Sequence, residues 1–322
     1  MQVFKTSHGR DALGFLAMAV TLLLIHTLVR DHFYRSVLLQ AIIFAVAATG
    51  MTLLVGFAGQ ISLGQNAFMA MGAYGFAYQV QKFGLHPLFA LGLATLLPTV
   101  VAYAIARPIL RLSGHYLALA TLALGSAGYI FASRWTDVTG GLDPGILDLP
   151  KFTLVSAWGG DQFFPLAALC LMLVTGLSLV LVHSAIGRSL HAIHTSELVA
   201  ACSGIQVERT KAAIFALAAG CAGLSGALYA LFMRSFNASS FSIMISIELL
   251  MMVIVGSLST VWGSLIGALL VTLLPHALEH FESAKLFVYG TIMTLVVMFM
   301  PNGLASSLYG SLRQLVTAGR KA

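Results

Sequence analysis

The sequence predicts an all-α integral membrane protein, and three observations support that fold class. Of its 322 residues, 59% are hydrophobic and only 9% are charged, whereas soluble domains carry about 25% charged residues. The mean hydropathy is +0.93, and apolar runs long enough to cross the roughly 30 Å hydrocarbon layer as helices recur along the chain. These runs lack the alternation of apolar and polar residues that is typical of strands in membrane barrels.

About ten runs have this character, and the short connections between most of them indicate one transmembrane domain over residues 1–322. We predict spans at 12–29, 37–57, 66–81, 88–106, 115–132, 164–182, 211–233, 244–262, 264–278 and 286–301. The first run is too long for the apolar part of a secretion signal, and Arg30 and Asp31 follow it where a cleavage site needs small residues. We therefore expect the first span to be retained.

The charged residues indicate an orientation. If the N-terminus is cytoplasmic, ten of the 17 Lys and Arg residues lie on the cytoplasmic side, so the positive-inside rule favours a cytoplasmic location for both termini. The net charge of +6 comes without a basic run or a basic stripe with interleaved aromatic residues. We expect membrane lipid around the protein and no nucleic-acid partner.

The sequence contains no pattern typical of catalysis or metal binding. The three cysteines, Cys170, Cys202 and Cys221, have no metal-type spacing and are odd in number. Neither a phosphate-binding G-x-x-x-x-G-K-[ST] loop nor an H-E-x-x-H pair occurs. We therefore predict that the chain is not an enzyme and holds no metal or cofactor of its own.

The predicted cytoplasmic loop, about residues 183–211, keeps helical spacing outside the membrane. Ile186, Leu190 and Ile193 form one apolar stripe, and a second stripe falls within residues 198–205. Thr195 or Ser196 can cap the second helix, and Gly204 stands where a glycine would end it. We predict two short amphipathic helices, which either dock a cytosolic partner or lie on lipid headgroups.

The predicted external loop, about residues 133–163, has a different composition. It contains the turn signals Gly140-Gly141, Asp143-Pro144-Gly145 and Gly159-Gly160. This loop is either a docking face for a partner outside the cell or an ordered connection between two spans.

The stretch "GFAGQISLGQNAFMAMGAYGFA", residues 56–77, brings amides and glycines into an apolar run. Glycines let helices approach closely. Four polar side chains, however, would be costly against lipid: Gln60, Ser62, Gln65 and Asn66. Transporters use interrupted helices of this kind where the backbone lines a cavity. We interpret the stretch as a turn that lines a pathway between two helical pieces; the alternative is a polar loop at the membrane surface.

Two further features within the predicted spans are polar. Glu248 is the only acidic residue in these spans, and such a residue is either functional or placed where it reaches the headgroups. Residues 253–270 repeat the mixture of glycine, serine and apolar residues, which suggests an internal repeat. Thr121 can present a hydroxyl to the bundle interior or simply bond to a neighbouring helix.

Several ordered motifs together resemble one family. They are "GFAGQISLGQNAFMAMGAY", "LRLSGHYLALATLALG", "WTDVTGGLDPGI", "GRSLHAIHTSELVAACSGIQVERTKAAIFALAAGCAGLSGALYA" and "MPNGLA". The chain resembles the permease subunits of branched-chain amino acid ABC importers, most closely the LivM-like subunits, over about residues 37–305. One departure is Ser257-Leu258-Ser259, where the family usually has glycines at the positions of both serines.

The resemblance implies a type II ABC importer-like permease in a bacterial inner (plasma) membrane. It implies a heterodimer with a second related permease, two cytosolic ATPase subunits that bind ATP and Mg²⁺, and an external solute-binding protein. The residues implied to couple to the ATPase are Arg188, Glu197, Ala200, Ala201, Gly204 and Ile205. Thr139, Gly140 and Gly141 match the family's T-G-G motif and are implied to dock the binding protein or support a gate.

We expect alternating access, in which closure of the ATPase subunits moves the cytoplasmic helices. The residues predicted for the translocation pathway are Gly59, Gln60, Ser62, Gly64, Asn66, Thr121 and Glu248. Permeases of this scaffold also carry urea, short amides or other amino acids, so the motifs do not name the solute. The alternative from another class is an ion-coupled secondary transporter in which Glu248 binds the coupling ion.

Overall fold

The computed structural model describes residues 2–28, 31–110, 112, 114–149, 163–278, 285–299 and 303–304. The α-helices in these residues are α1 (Gln2–Leu28), α2 (His32–Thr52), α3 (Gln65–Phe83), α4 (Pro87–Ile109), α5 (His115–Arg134), α6 (Thr136–Thr139), α7 (Phe163–His183), α8 (Ala185–Thr195), α9 (Glu197–Cys202), α10 (Val207–Met233), α11 (Ile243–Gly256), α12 (Val261–Ala277) and α13 (Lys285–Phe299). A π-helical turn, Leu53–Phe57, extends α2, and a 3₁₀ turn, Ala238–Phe241, precedes α11.

The described residues confirm the all-α class, and each predicted span overlaps a helix. In the part of the chain that the structure describes, seven segments are long and apolar enough to cross a membrane: Asp11–Leu28, His32–Phe57, Pro87–Ile109, His115–Arg134, Phe163–His183, Val207–Met233 and Ala238–Gly256. Two shorter apolar helices, Val261–Ala277 and Phe287–Val296, follow them. The predicted count of ten membrane crossings is therefore not confirmed, because three predicted spans fall short of these criteria.

Two long helices form the centre of the bundle. The window over His32–Phe57 is 89% buried and that over Val207–Met233 is 78% buried, whereas the window over Asp11–Leu28 is only 11% buried. Helix α10 packs against α2, α3 and α4. Small residues allow this close packing: a Cβ at Gly72 would lie 2.1 Å from the carbonyl oxygen of Gly223. Because lipid gives little hydrophobic drive for helix association, such backbone contacts stabilise the bundle.

Two interruptions lie within the bundle. The first break, residues 58–64, separates the π-helical turn from α3, and the second break, residues 257–260, separates α11 from α12. A Cβ at Gly56 would lie 1.9 Å from the carbonyl oxygen of Leu258, so the chain just before the first break touches the second. The predicted span 244–262 was wrong at its end, because the helix stops at Gly256 and α12 starts at Val261.

The two long loops differ in their structure. The predicted cytoplasmic loop contains α8 and α9, which confirms the two short helices. The described part of the predicted external loop contains α6 and an antiparallel bridge between Ile146 and Phe236. Residues 150–162 of that loop, including Gly159-Gly160, lie outside the described residues.

Candidate functional site

The first break begins and ends on backbone anchors. The backbone N–H of Gln60 donates to the carbonyl oxygen of Leu54 at 3.0 Å. The N–H of Leu63 donates to Oγ1 of Thr121 on α5, also at 3.0 Å, and that hydroxyl donates to the carbonyl oxygen of Ala118. A Cβ at Gly64 would lie 2.5 Å from the carbonyl oxygen of Thr121. Helix α3 therefore starts against the side of α5, inside the bundle.

Asn66 joins three elements through a fully used side chain. Its Nδ2 donates to the carbonyl oxygens of Gly125 and Phe241, both at 3.1 Å. Its Oδ1 accepts from Oγ of Ser246 at 2.9 Å, and that hydroxyl accepts the backbone N–H of Asn66 at 2.8 Å. Asn66 is completely buried. Asn66 therefore holds α3 against α5 and α11, and Thr121 holds the first break against α5.

Three neighbouring polar side chains are buried without such partners. Gln60, Ser62 and Gln65 are each at most 3% exposed. Within the described residues, no hydrogen-bond partner exists for either amide atom of Gln60 and Gln65 or for the hydroxyl of Ser62. A buried polar group left unpaired costs about 1–3 kcal/mol. Groups retained at such a cost are candidates for binding a polar ligand. We name Gln60, Ser62 and Gln65 the polar triad.

Gly59 connects the first break to the predicted cytoplasmic helices. Its φ angle is +67°, in the left-handed region that favours glycine. A Cβ built there would lie 3.3 Å from Nδ1 of His194, near the end of α8. The break that holds the polar triad therefore contacts α8 directly.

Helices α8 and α9 begin and end on clear capping signals. Oγ of Ser184 accepts the N–H of Ile186 at 3.1 Å, and Oγ of Ser196 accepts the N–H of Val199 at 3.4 Å. Gly204 follows α9 with a φ angle of +82°, as predicted for a glycine that ends a helix. The side chain of Ser196, rather than Thr195, makes the cap of α9.

Some of the predicted coupling residues on α8 and α9 are buried against the chain, and others are exposed. Gly187, Leu190 and Ile193 form the buried face of α8, whereas Ile186 of the predicted apolar stripe is exposed. On α9, Ala200 is buried, whereas Leu198 and Val199 are 77% and 64% exposed. Of the other predicted coupling residues, those exposed are Arg188, Glu197, Ala201 and Gly204, and Ile205 is half-buried.

Leu198 and Val199 are absent from the predicted coupling residues. Two large aliphatic side chains at the exposed tip of a helix are typical of a surface that a partner covers. The sequence carries this signal as an apolar pair directly after the acidic N-terminal residue of α9, but the buried and exposed faces of a six-residue helix cannot be told apart from spacing alone.

Glu197 makes an internal ion pair. Nζ of Lys211 on α10 donates to Oε1 of Glu197. The side chain of Lys211 is only 6% exposed, whereas that of Glu197 is 55% exposed. The acidic residue at the start of α9 is thus already bonded within the chain.

Glu248 and the T-G-G motif lie outside the first break, on α11 and at the C-terminal end of α6. Glu248 is half-buried on α11, two residues after Ser246. Oγ1 of Thr139 donates to the carbonyl oxygen of Ala132 at 2.6 Å and accepts the N–H of Gly141 at 3.1 Å. A Cβ at Gly140 would lie 2.2 Å from the carbonyl oxygen of Gly145. Thr139 and Gly141 are buried and Gly140 is half-buried, so the motif forms a largely buried turn.

Over the described residues, an all-helical bundle with seven membrane-length helices and an interrupted polar segment is typical of multi-pass membrane permeases. A family model described as branched-chain amino acid transport system / permease component matches residues 33–298. The chain therefore belongs to this family, which confirms the resemblance seen in the sequence.

Two similar relatives are high-affinity branched-chain amino acid transport system permease proteins LivM. The protein from Salmonella typhimurium (strain LT2) is 27% identical over 290 residues, which cover 82% of this chain and 68% of the relative. The protein from Escherichia coli (strain K12) is 27% identical over 287 residues, 81% of this chain and 67% of the relative. The probable branched-chain amino acid transport permease protein LivH of Methanocaldococcus jannaschii is 24% identical over 317 residues, 91% of this chain and 99% of the relative. No solved structure matches the chain significantly.

Proposed function

We propose that this chain is the transmembrane permease subunit of an ABC importer for branched-chain amino acids in a bacterial inner membrane, with both termini cytoplasmic. Its partners are a second related permease, two cytosolic ATPase subunits that bind ATP and Mg²⁺, and an external solute-binding protein. Membership of the permease family and similarity to proteins named for branched-chain amino acid transport support this proposal.

The single observation that carries the transport mechanism is the polar triad. An amino acid crossing the membrane sheds part of the water around its ammonium and carboxylate groups. Amide oxygens accept from the ammonium, whereas amide N–H and hydroxyl groups donate to the carboxylate. Gln60, Ser62 and Gln65 supply these groups in buried positions with no partner among the described residues. We therefore assign solute contact to the triad.

The other predicted pathway residues receive distinct tasks in this proposal. Gly59 and Gly64 allow the sharp path of the first break, because both meet other groups where a side chain would stand. Asn66 and Thr121 fix the break against its neighbours. Glu248 contributes an acidic group on α11, half-buried in the single chain. Movement of the first break relative to these anchors opens the pathway to one side and then the other.

The movement comes from α8 and α9. In the proposal, Leu198 and Val199 enter a cleft of an ATPase subunit, with Arg188, Ala201 and Gly204 on the same accessible surface. Ala200 and Ile205 hold α9 to the chain. ATP-driven closure of the ATPase dimer displaces α8, whose His194 lies against Gly59. Thr139, Gly140 and Gly141 shape the external surface where the binding protein docks.

The test is uptake of radiolabelled leucine into proteoliposomes that contain the complete transporter and its binding protein. Gln60→Leu removes the triad's first amide at similar size, and we expect uptake to fall about tenfold with ATPase association unchanged. The matched control is Gln81→Leu, because Gln81 is exposed and bonds to the carbonyl oxygen of Leu147. If the Gln60→Leu and Gln81→Leu variants showed equal uptake, the polar triad would not be part of the pathway.

The same vesicles separate the rival functions. ATP-dependent leucine uptake that excess isoleucine or valine suppresses supports the proposed solute class. Suppression by urea or a short amide, with none by these amino acids, supports another solute of the family. Uptake that needs a proton or sodium gradient and proceeds without ATPase subunits supports an ion-coupled secondary transporter, for which Glu248→Gln then abolishes uptake.

A further inference from the structure

The ion pair between Glu197 and Lys211 indicates a role for both residues that is separate from docking an ATPase. The side chain of Lys211 is 6% exposed at the beginning of α10. A lysine ammonium in such a position needs a paired anion, because an isolated buried charge is strongly unfavourable. Glu197 supplies that anion. The carboxylate therefore cannot turn away to a partner without leaving the ammonium unpaired.

The remaining contacts of α9 define what the pair holds. Ala200, one turn after Glu197, is also buried, so one face of α9 is fixed to the chain while Leu198 and Val199 point away from it. Gly204, which ends α9, has open space where a side chain would stand, since a Cβ there would meet no atom within 4 Å. The ion pair therefore fixes the N-terminal residue of α9 to α10, and Ala200 packs the next turn of α9 against the chain.

Helix α10 is suited to receive a force applied to α9. It packs against α2, α3 and α4 and also contacts the π-helical turn that leads into the first break. A displacement of α9 that is rigidly passed to α10 thus reaches the centre of the bundle. Without the pair, α9 keeps its exposed docking residues but loses its fixed connection to α10.

We propose that Glu197 and Lys211 are positioning residues that connect the docking helix α9 to the central helix α10, and that their ion pair couples ATP hydrolysis to transport. The proposal rests on the proposed function as an ABC permease. It assigns the attachment of the ATPase to the exposed aliphatic residues of α9, and the transmission of the ATPase movement to the ion pair between Glu197 and Lys211.

The test is a charge-exchange cycle in the complete reconstituted transporter, with three readouts: ATPase co-purification, ATP hydrolysis and leucine uptake. The single variants Glu197→Lys and Lys211→Glu place like charges opposite each other, and we expect leucine transported per ATP hydrolysed to fall about tenfold while the ATPase still co-purifies. The double variant carries the pair in reverse, and we expect the ratio to return to within about threefold of the unmodified protein. Glu208→Lys is the control, because Glu208 is an exposed acidic residue in the first turn of α10.

Two outcomes overturn the proposal. If Glu197→Lys abolishes co-purification and the double variant does not restore it, Glu197 contacts the ATPase instead of acting through Lys211. If all variants retain the normal transport ratio, the pair only supports the fold. Lys211→Arg, which keeps the charge, and Lys211→Met, which removes it, repeat the comparison should the buried carboxylate of Lys211→Glu prevent folding.

The proposed function can fail separately from this inference. Its failure is seen in the unmodified protein, as uptake that ignores ATP and an absence of co-purifying ATPase. In that case the cycle is measured as thermal stability of the purified permease. Recovery of stability by the double variant then supports the pair, whereas no recovery rejects it.

Discussion

The chain just before the first break touches the second break, but the two breaks differ in how many of their polar side-chain groups are hydrogen-bonded. In the second break, the hydroxyls of Ser257 and Ser259 bond to each other at 3.0 Å, and among its side chains only the hydroxyl of Thr260 is buried without a partner in the described residues. The polar triad of the first break and the adjoining start of α3 leaves five such atoms unpaired. The second break is therefore a nearly satisfied turn, and the first retains binding capacity.

A finer comparison lies at the start of α3. Gln65 and Asn66 are neighbours, both amides and both buried. Asn66 uses its whole side chain within the bundle, whereas neither amide atom of Gln65 has a partner in the described residues. Burial alone thus does not distinguish a structural amide from one available to a solute; the hydrogen-bond partners do.

The largest expected effect comes from separating the two breaks. In Gly56→Ala, the new methyl group would lie 1.9 Å from the carbonyl oxygen of Leu258. Because backbone on both sides must move, we expect a loss of about 4 kcal/mol of stability, measured as thermal unfolding in detergent. Gly92→Ala in α4 is the control, since a Cβ there meets no atom within 4 Å. Equal stability of the two variants would contradict the direct contact between the breaks.

The next largest expected effect distinguishes the structural amide of Asn66 from the unpaired amide of Gln65. Asn66→Leu removes the donor to the carbonyl oxygens of Gly125 and Phe241 and the acceptor of the Ser246 hydroxyl, which keeps only the backbone N–H of residue 66 as a partner. We expect it to lower the free energy of unfolding by about 3 kcal/mol. The measurement is thermal unfolding of the purified protein beside Gln65→Leu. If the two variants were equally unstable, the distinction between a structural and an available amide would be lost.

The third prediction concerns function instead of stability. Gln65→Leu removes two buried atoms that lack partners in the described residues, so we expect the free energy of unfolding to hold or to rise by up to about 3 kcal/mol. Leucine uptake should nevertheless fall about tenfold, in parallel with Gln60→Leu. Ser62→Ala is the smaller companion change at the same break. Normal uptake by all three would show that the triad faces something other than the solute.

The sequence predicted the fold class and most elements for physical reasons that act locally. Apolar runs identify helices because membrane crossing requires about 20 such residues, and Ser196 and Gly204 mark the ends of α9 through their own backbone and hydroxyl chemistry. The glycines and amides of residues 56–66 likewise indicated an interrupted helix. The second break was misplaced because its serines resemble ordinary bonding residues of a continuous span.

The candidate site was less predictable, because its properties arise between distant segments. Asn66 is structural only because Ser246, 180 residues away, lies beside it. Lys211 and Glu197 become one feature only when α9 folds against α10. No sequence pattern of fixed spacing predicts either of these two contacts. The family resemblance identified Glu197 by position and the interrupted polar stretch indicated Gly59, but their internal contacts with Lys211 and His194 required the folded chain.

The smallest expected effect tests the satisfied break. Ser257→Ala and Ser259→Ala each remove one hydroxyl from a pair that bonds mainly to itself, and Oγ of Ser257 also accepts the N–H of Ser259 at 3.3 Å. We expect each single change to cost about 1 kcal/mol, and the double change to cost less than the two combined, since the second removal leaves no unpaired hydroxyl behind. Uptake should remain within about twofold of the unmodified protein. A strong loss of uptake with retained stability would place the second break in the pathway beside the first, and the two breaks would then share the binding of the solute.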